Sequence, residues 1–303
     1  MRDDVLGLGW VVRRTADPIT QGEFYLNVLG LPELRRRDTG RAKNIMMWAG
    51  GYSDIETIWK GHPHPPVSKS EDSELVPIFR ARNFGSVMGR LKEANTSFIT
   101  SNIPDDNTVF FTDPAGFVCG LRPSADGSDT APDVEADRLW NNGMGSLLNT
   151  TFMPSDLQDI GWLRLHVADP DKIAAFYNSE VGLDLLENNG NSGSTLHLGG
   201  PAALEICPGG KSRPVPADRT EVPDVWILRG YDHHGFTVEM ANKDVPLVNS
   251  LTLGAGSLNY YADPEGHVFG YQQRSPYDPD NPVTHRIEDR VLFEIWKAQE
   301  LNR

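Results

Sequence analysis

The chain has 303 residues, of which 39% are hydrophobic and 23% charged, and its formal net charge is −14. That is the composition of a globular protein with enough apolar residues for two cores, and its acidity makes nucleic acid and anionic membrane poor partners for the surface as a whole. No stretch approaches about eighteen uninterrupted apolar residues, MRDDVLGLGW does not read as a signal peptide, and only Cys119 and Cys207 are present, so the expected setting is a reducing cytoplasm.

Taken in order, the sequence predicts a strand over Leu6–Thr15, a helix over Asp17–Leu29 and strands over Leu31–Arg37, Lys43–Ala49 and Ile55–Lys60. That is one βαβββ unit. Gly61–Glu74 is Pro-rich and polar and reads as a loop; its His62 and His64 give only a compositional hint of metal binding. A second unit follows: strand Val76–Arg82, helix Phe84–Ala94, then strands Ser97–Ser101, Thr108–Asp113 and Phe117–Arg122. Pro123–Asp159 begins rich in Ser, Asp and Gly, which marks a linker.

The third unit, Asp159–Pro208, opens on an alternating strand. Trp162, Arg164 and His166 share one face of it, and Leu163, Leu165 and Val167 the other. Asp169 then offers an N-cap carboxylate, Pro170 fits the first helical position, and Gly182 ends the helix. The fourth unit, Val225–Gln273, is expected to place His233 on its first strand, a helix over Asp244–Leu253 and strands over Ser257–Tyr261 and His267–Gln272. Ile287–Asn302 reads as an amphipathic C-terminal helix.

The units repeat. GWVVRRTADPITQGEFYLNVLGL (Gly9–Leu31) matches GWLRLHVADPDKIAAFYNSEVGL (Gly161–Leu183) at an offset of 161 − 9 = 152. FFTDPAGFVCG (Phe110–Gly120) matches YYADPEGHVFG (Tyr260–Gly270) at an offset of 260 − 110 = 150. Such ungapped matches mean internal duplication. The expected division is a domain over 1–124, a linker over 125–158, a second domain over 159–275 and a tail over 276–303.

The four repeats, the ADP-x5-FY-x4-GL helix and the DPxG hairpin resemble the vicinal oxygen chelate superfamily. It includes glyoxalase I, extradiol dioxygenases, fosfomycin-resistance proteins and metal-free bleomycin-binding proteins. The resemblance covers nearly everything outside the linker and the last helix. It implies an α+β fold: four βαβββ units forming two glyoxalase-like domains with curved mixed sheets, plus a C-terminal helix. It also implies a cavity in each domain, with a divalent metal on side chains from four strands. Those places hold Trp10, Glu56, Val76 and Gly120 in the first domain and Trp162, Glu205, His233 and Gly270 in the second. Indole offers a metal no lone pair and glycine no side chain. The first domain is therefore expected to be metal-free and structural, with Glu56 outside any active site. The second leaves room for a weakly bound divalent metal on Glu205 and His233.

The candidate cavity is thus expected in the second domain. Glu205 and His233 would act there as base and acid, Trp162 as a stacking surface and Arg164 as a clamp for a carboxylate or phosphate. His166, Thr237 and Tyr260 would complete the wall. Two readings stay open. One is an enzyme doing lyase or isomerase chemistry on a small aromatic or carboxylate-bearing molecule; the other is a non-catalytic module that sequesters a small molecule. Extradiol ring cleavage is not supported, because its final Glu is replaced by Gly270.

Overall fold

The computed structural model describes residues 4–50, 53–61, 64, 67–103, 107–124, 156–199, 202–230, 232–253 and 256–274. Most of the expected linker, the expected C-terminal helix and His62 lie outside these residues.

The first unit comprises β1 (Val5–Arg14), α1 (Pro18–Phe24), β2 (Glu33–Asp38), β3 (Lys43–Trp48) and β4 (Asp54–Ile58). Asp17 caps α1 by accepting from the Thr20 amide, and a π-helical turn over Tyr25–Leu29 ends at Gly30 with φ +79°. The second unit comprises β5 (Leu75–Ala81), α2 (Phe84–Glu93), β6 (Phe98–Ile99), β7 (Val109–Thr112) and β8 (Val118–Pro123). The third is β9 (Leu157–Val167), α3 (Pro170–Ser179), β10 (Leu185–Asn188), β11 (Ser194–Gly199) and β12 (Ala202–Pro208). The fourth is β13 (Asp224–Gly230), α4 (His233–Asn242), β14 (Leu247–Leu253), β15 (Gly256–Ala262) and β16 (Val268–Arg274).

The four units are those the sequence predicts, with one correction inside the last. The helix is His233–Asn242, and the segment expected to be helical holds strand β14 instead. Asp232 caps α4 by accepting from the Gly235 amide, while Phe236 and Met240, one turn apart, are its buried residues.

The pairing of units also differs from expectation. One eight-stranded sheet runs β14-β15-β16-β13-β1-β4-β3-β2, and the other β10-β11-β12-β9-β5-β8-β7-β6. The first sheet therefore joins units one and four, and the second joins units two and three. Boundaries at 1–124 and 159–275 do not describe these sheets. Periodicity and turns identify each unit, but which unit adds to which is decided by long-range fit that four similar repeats leave open.

The duplication is exact in register. Trp10 on β1 lies opposite Ile227 on β13, and Trp162 on β9 lies opposite Ile78 on β5. Ile227 and Ile78 in turn neighbour Gly270 and Gly120. A single large core, including Val11, Leu163, Tyr177 and Phe236, fills the helix-covered side of both sheets. The opposite, inner faces carry separate apolar clusters: Trp10, Met46, Trp48 and Ile227 on the first sheet, Val76, Ile78, Phe110 and Val118 on the second. These inner faces are where a ligand site can form.

Candidate functional site

On the second sheet Trp162, Arg164, His166 and Glu205 do come together. Arg164 donates from Nε and Nη2 to Glu205 Oε2 at 2.9 and 2.7 Å. Arg122, on β8, donates to Glu205 Oε1 at 3.0 Å. The Arg122 guanidinium also lies 4.1 Å from the Trp162 ring centroid, and Arg164 lies over Phe110 at 5.3 Å. Glu205 is thus held from both sides, and the indole that would stack a ligand is covered by a guanidinium. The Glu205 carboxylate and the Trp162 ring are thus engaged by this face's own arginines.

His166 is fully buried and donates from Nδ1 to the Ser73 carbonyl at 2.7 Å. Burial pushes its pKa down to about 4, with Arg164 adding to the shift. Between about 6.5 and about 4 the unfolded chain takes up a proton at this residue that the folded protein refuses, so stability is lost as pH falls through that window. Relative to His166→Asn, the wild type should lose about 2 kcal/mol of unfolding free energy between pH 7 and pH 5. Glu74, pushed up to about 7 by burial, contributes the opposite slope. It is present in both proteins, so the difference between two denaturation series isolates His166. A difference independent of pH would contradict the buried neutral imidazole.

His233 and Thr237 lie elsewhere. His233 opens α4, its amide donating to Gln273 Oε1 at 2.8 Å. Thr237 Oγ1 donates to the His233 carbonyl at 2.7 Å and accepts from Asn259 Nδ2 at 3.0 Å. Both residues sit on a helix of the first sheet, whereas Glu205 is on the second. The expected Glu205–His233 acid–base pair, and the metal site built on it, are therefore corrected. The cause is placement: β13 ends at Gly230, so His233 is not on a strand at all. Tyr260, on β15, lines the inner face of the first sheet and not the surroundings of Glu205.

That inner face holds a cavity of about 550 Å³, with Trp10, Val12, Glu56, Ile58, Leu258 and Tyr260 among its walls. Seven cationic side chains also line it: Arg14, Arg35, Arg37, Arg41, Lys43, Lys60 and Arg219. Glu56 is the one carboxylate among the lining residues, in a chain whose net charge is −14. Arg14 is 3% exposed, and its Nε and Nη2 have no hydrogen-bond partner among the described residues. Burial and the neighbouring Arg219 lower its pKa, opposed by Tyr260 and Glu56. Trp10, on the same face of β1, also presents a buried Nε1 without a partner among the described residues. Glu56 accepts from Asn44 Nδ2 and, at 3.4 Å, from Arg35 Nη2. The Arg219 guanidinium lies 5.1 Å from the Tyr260 ring centroid.

Sequence reasoning passed over this cavity. By the 152-residue offset, Arg164 corresponds to Val12 and His166 to Arg14. The first sheet thus lacks the arginine that closes the second, and carries a buried cation where the second has a neutral imidazole. The alternation Trp10-Val12-Arg14 was the signal that could have found it. A second cavity, about 760 Å³, lies between α1 and the Asp113–Gly116 turn. Its carboxylates are occupied: Asp17 caps α1, and Asp113 accepts from Arg13, Tyr25 and Gln21.

The residues present do not fit the chelated divalent metal that the resemblance implies. The four inner positions are Trp10, Glu56, Ile227 and Gly270 on one sheet and Trp162, Glu205, Ile78 and Gly120 on the other. Neither glycine has space for a side chain. A Cβ would meet Ile227 Cγ1 at 2.9 Å from Gly270 and Ile78 Cγ1 at 2.8 Å from Gly120. No group of three or more His, Cys, Asp or Glu that could hold a metal occurs among the described residues. A catalytic metal ordinarily takes about three protein ligands.

No family model matches the chain, and no curated protein matches it. Solved structures do. A Bacillus subtilis protein provisionally called a dioxygenase superposes with a TM-score of 0.66 and 13% identity, covering 99% of this chain and 97% of that one. Glyoxalase I from Zea mays gives a TM-score of 0.58 at 13% identity, covering 88% of this chain and 92% of that one. A mutant form of the maize enzyme gives 0.61 at 14%, over 89% and 94%. With the paired βαβββ units, these likenesses show a glyoxalase-like fold in a tandem, four-unit form.

Proposed function

We propose that this chain binds a small organic anion on the inner face of the first sheet, with Arg14 as the group that holds it. The observation that carries the reading is the buried Arg14 guanidinium, whose Nε and Nη2 lack a partner among the described residues. A buried charge costs several kcal/mol unless it is paired. A carboxylate or phosphoryl group supplies a charged acceptor for both nitrogens in the fork geometry that guanidinium favours. The Trp10 indole N–H adds a third donor, and Val12, Leu258 and Tyr260 offer apolar contact to the rest of the molecule. Binding by these groups needs no metal. The test is titration with benzoate, followed calorimetrically in the wild type and in Arg14→Gln. The wild type should bind, and the variant should lose at least about tenfold in affinity.

A second reading, catalysis, is favoured by Glu56 on the same wall. Held by Asn44 and Arg35, its carboxylate can take a proton from a bound ligand while Arg14 stabilises the negative charge that develops. That is proton-transfer chemistry of the lyase or isomerase type. Glu56→Gln separates the two readings. It removes the one negative charge of the wall, so benzoate affinity should stay level or rise by about two- to fivefold. Deuterium uptake at C3 of phenylpyruvate, an acidic aromatic 2-oxo acid, should be accelerated by the wild type and not by Glu56→Gln. Equal acceleration by both removes Glu56 from any proton transfer.

A further inference from the structure

We infer that the ligand of this cavity is a dianion, with one anionic group at Arg14 and a second at the cavity rim, joined by a flat apolar body. The inference rests on the anion-binding reading above and adds a charge count to it. Of the seven cations lining the cavity, three besides Arg14 are already engaged: Arg35 with Glu56 at 3.4 Å, Lys43 with Asp38 at 3.6 Å and Arg219 with the Tyr260 ring, 5.1 Å from its centroid. Arg37, Arg41 and Lys60 are exposed at the rim and have no ion pair or side-chain hydrogen bond among the described residues.

The rim is an ordered feature of the backbone. Arg41 sits in the β2–β3 turn, which Thr39 pins: its Oγ1 donates to the Ala42 carbonyl at 3.1 Å and accepts from the Ala42 amide at 3.0 Å. Lys60 leaves β4 with φ +75°, a left-handed conformation that side chains other than glycine rarely adopt. Between rim and depth the wall is apolar, with Val12, Ile58, Leu258 and Tyr260.

A monoanion at Arg14 would leave three rim cations on one cavity with no carboxylate paired to them among the described residues. Like charges held around a cavity with apolar walls repel one another and raise the local positive potential. A second carboxylate or phosphoryl group relieves that repulsion and gains from it. The chain is acidic overall, so the positive cavity stands in contrast to the average surface.

Calorimetric titration at low salt tests this with benzoate as the monoanion and terephthalate, 4-carboxycinnamate and 4-phosphonobenzoate as dianions of different span. At least one dianion should bind about tenfold or more tightly than benzoate, and that gain should shrink as salt rises from about 20 to about 200 mM. In the double variant Arg37→Ala with Arg41→Ala the gain should vanish, while benzoate affinity changes by less than about threefold. A dianion that binds where benzoate is undetectable, and is lost in the double variant, supports the inference equally. If benzoate binds and no dianion gains more than about threefold, or if the gain survives the double variant, the two-anion inference is overturned and the Arg14 site stands. If neither benzoate nor any dianion binds the wild type, both fall.

Discussion

Replacing Arg14 by methionine is expected to raise the thermal midpoint of the ligand-free protein and to abolish its response to organic anions. These two effects run in opposite directions, and that opposition is the mark of a binding residue. Arg14 is buried, two of its nitrogens have no partner among the described residues, and Arg219 repels it. An unpaired buried polar group costs about 1–3 kcal/mol, more when charged. Methionine is unbranched, fills a similar path and carries no charge. The gain in stability should therefore be about 1–3 kcal/mol, a shift of several degrees. Wild-type protein recovers that amount only when an anion binds, following the mass-action dependence on ligand concentration. A midpoint that falls in Arg14→Met would mean that the guanidinium is already satisfied in the free protein, and the cavity would lose its claim to an anion.

The second large effect is expected at Glu205, and its sign is the reverse. Glu205→Gln should destabilise the protein by about 3–5 kcal/mol, because it leaves a buried guanidinium without its carboxylate. Arg164 is 3% exposed and directs Nε and Nη2 at Glu205, while Arg122 approaches the other oxygen. Removing both charges is a different experiment. Glu205→Leu combined with Arg164→Leu should recover most of the loss, since replacing a buried pair by apolar groups is often close to neutral. A cycle of Glu205→Leu, Arg164→Leu and their double variant would give the coupling energy directly. A loss below about 1 kcal/mol for Glu205→Gln would show that the cluster is solvated and free to serve a ligand.

The contrast between Arg14 and Glu205 also shows how far the sequence could be read. The four units were legible because their signals are local. Asp17 and Asp169 cap α1 and α3 in the same way, each accepting from the amide three residues on. Asp113 and Asp263 organise the two DPxG hairpins in parallel: Asp113 Oδ1 accepts from the Ala115 and Phe117 amides, and Asp263 Oδ1 from those of Glu265 and His267. Pairing of the units was not legible, because the same inner residues face a neighbour whichever repeat supplies it. The place of His233 is legible in the repeat. The 150-residue offset of the hairpins carries Val76 to 76 + 150 = 226, inside β13 and well short of residue 233.

The site was misplaced for a further physical reason. Metal-ligand positions favour the repeat that retains Glu205 and an apparent histidine. The informative feature was charge on a shared face. Val12 stands on β1 opposite Glu56 where the second sheet has an arginine opposite Glu205, and Arg14 in place of His166 buries a cation nearby. Neither fact points to a ligand until β4, β15 and the Arg219 segment are seen to close one cavity around them.

The most direct measurement is benzoate affinity by titration calorimetry in three proteins at a temperature well below unfolding: wild type, Arg14→Gln and Glu205→Gln. The two variants remove one charge each, from the inner faces of different sheets. An anion site on the first sheet predicts a loss of at least about tenfold in Arg14→Gln and an affinity within about threefold of wild type in Glu205→Gln. Affinity retained in Arg14→Gln and lost in Glu205→Gln would contradict it and return the ligand to the second sheet.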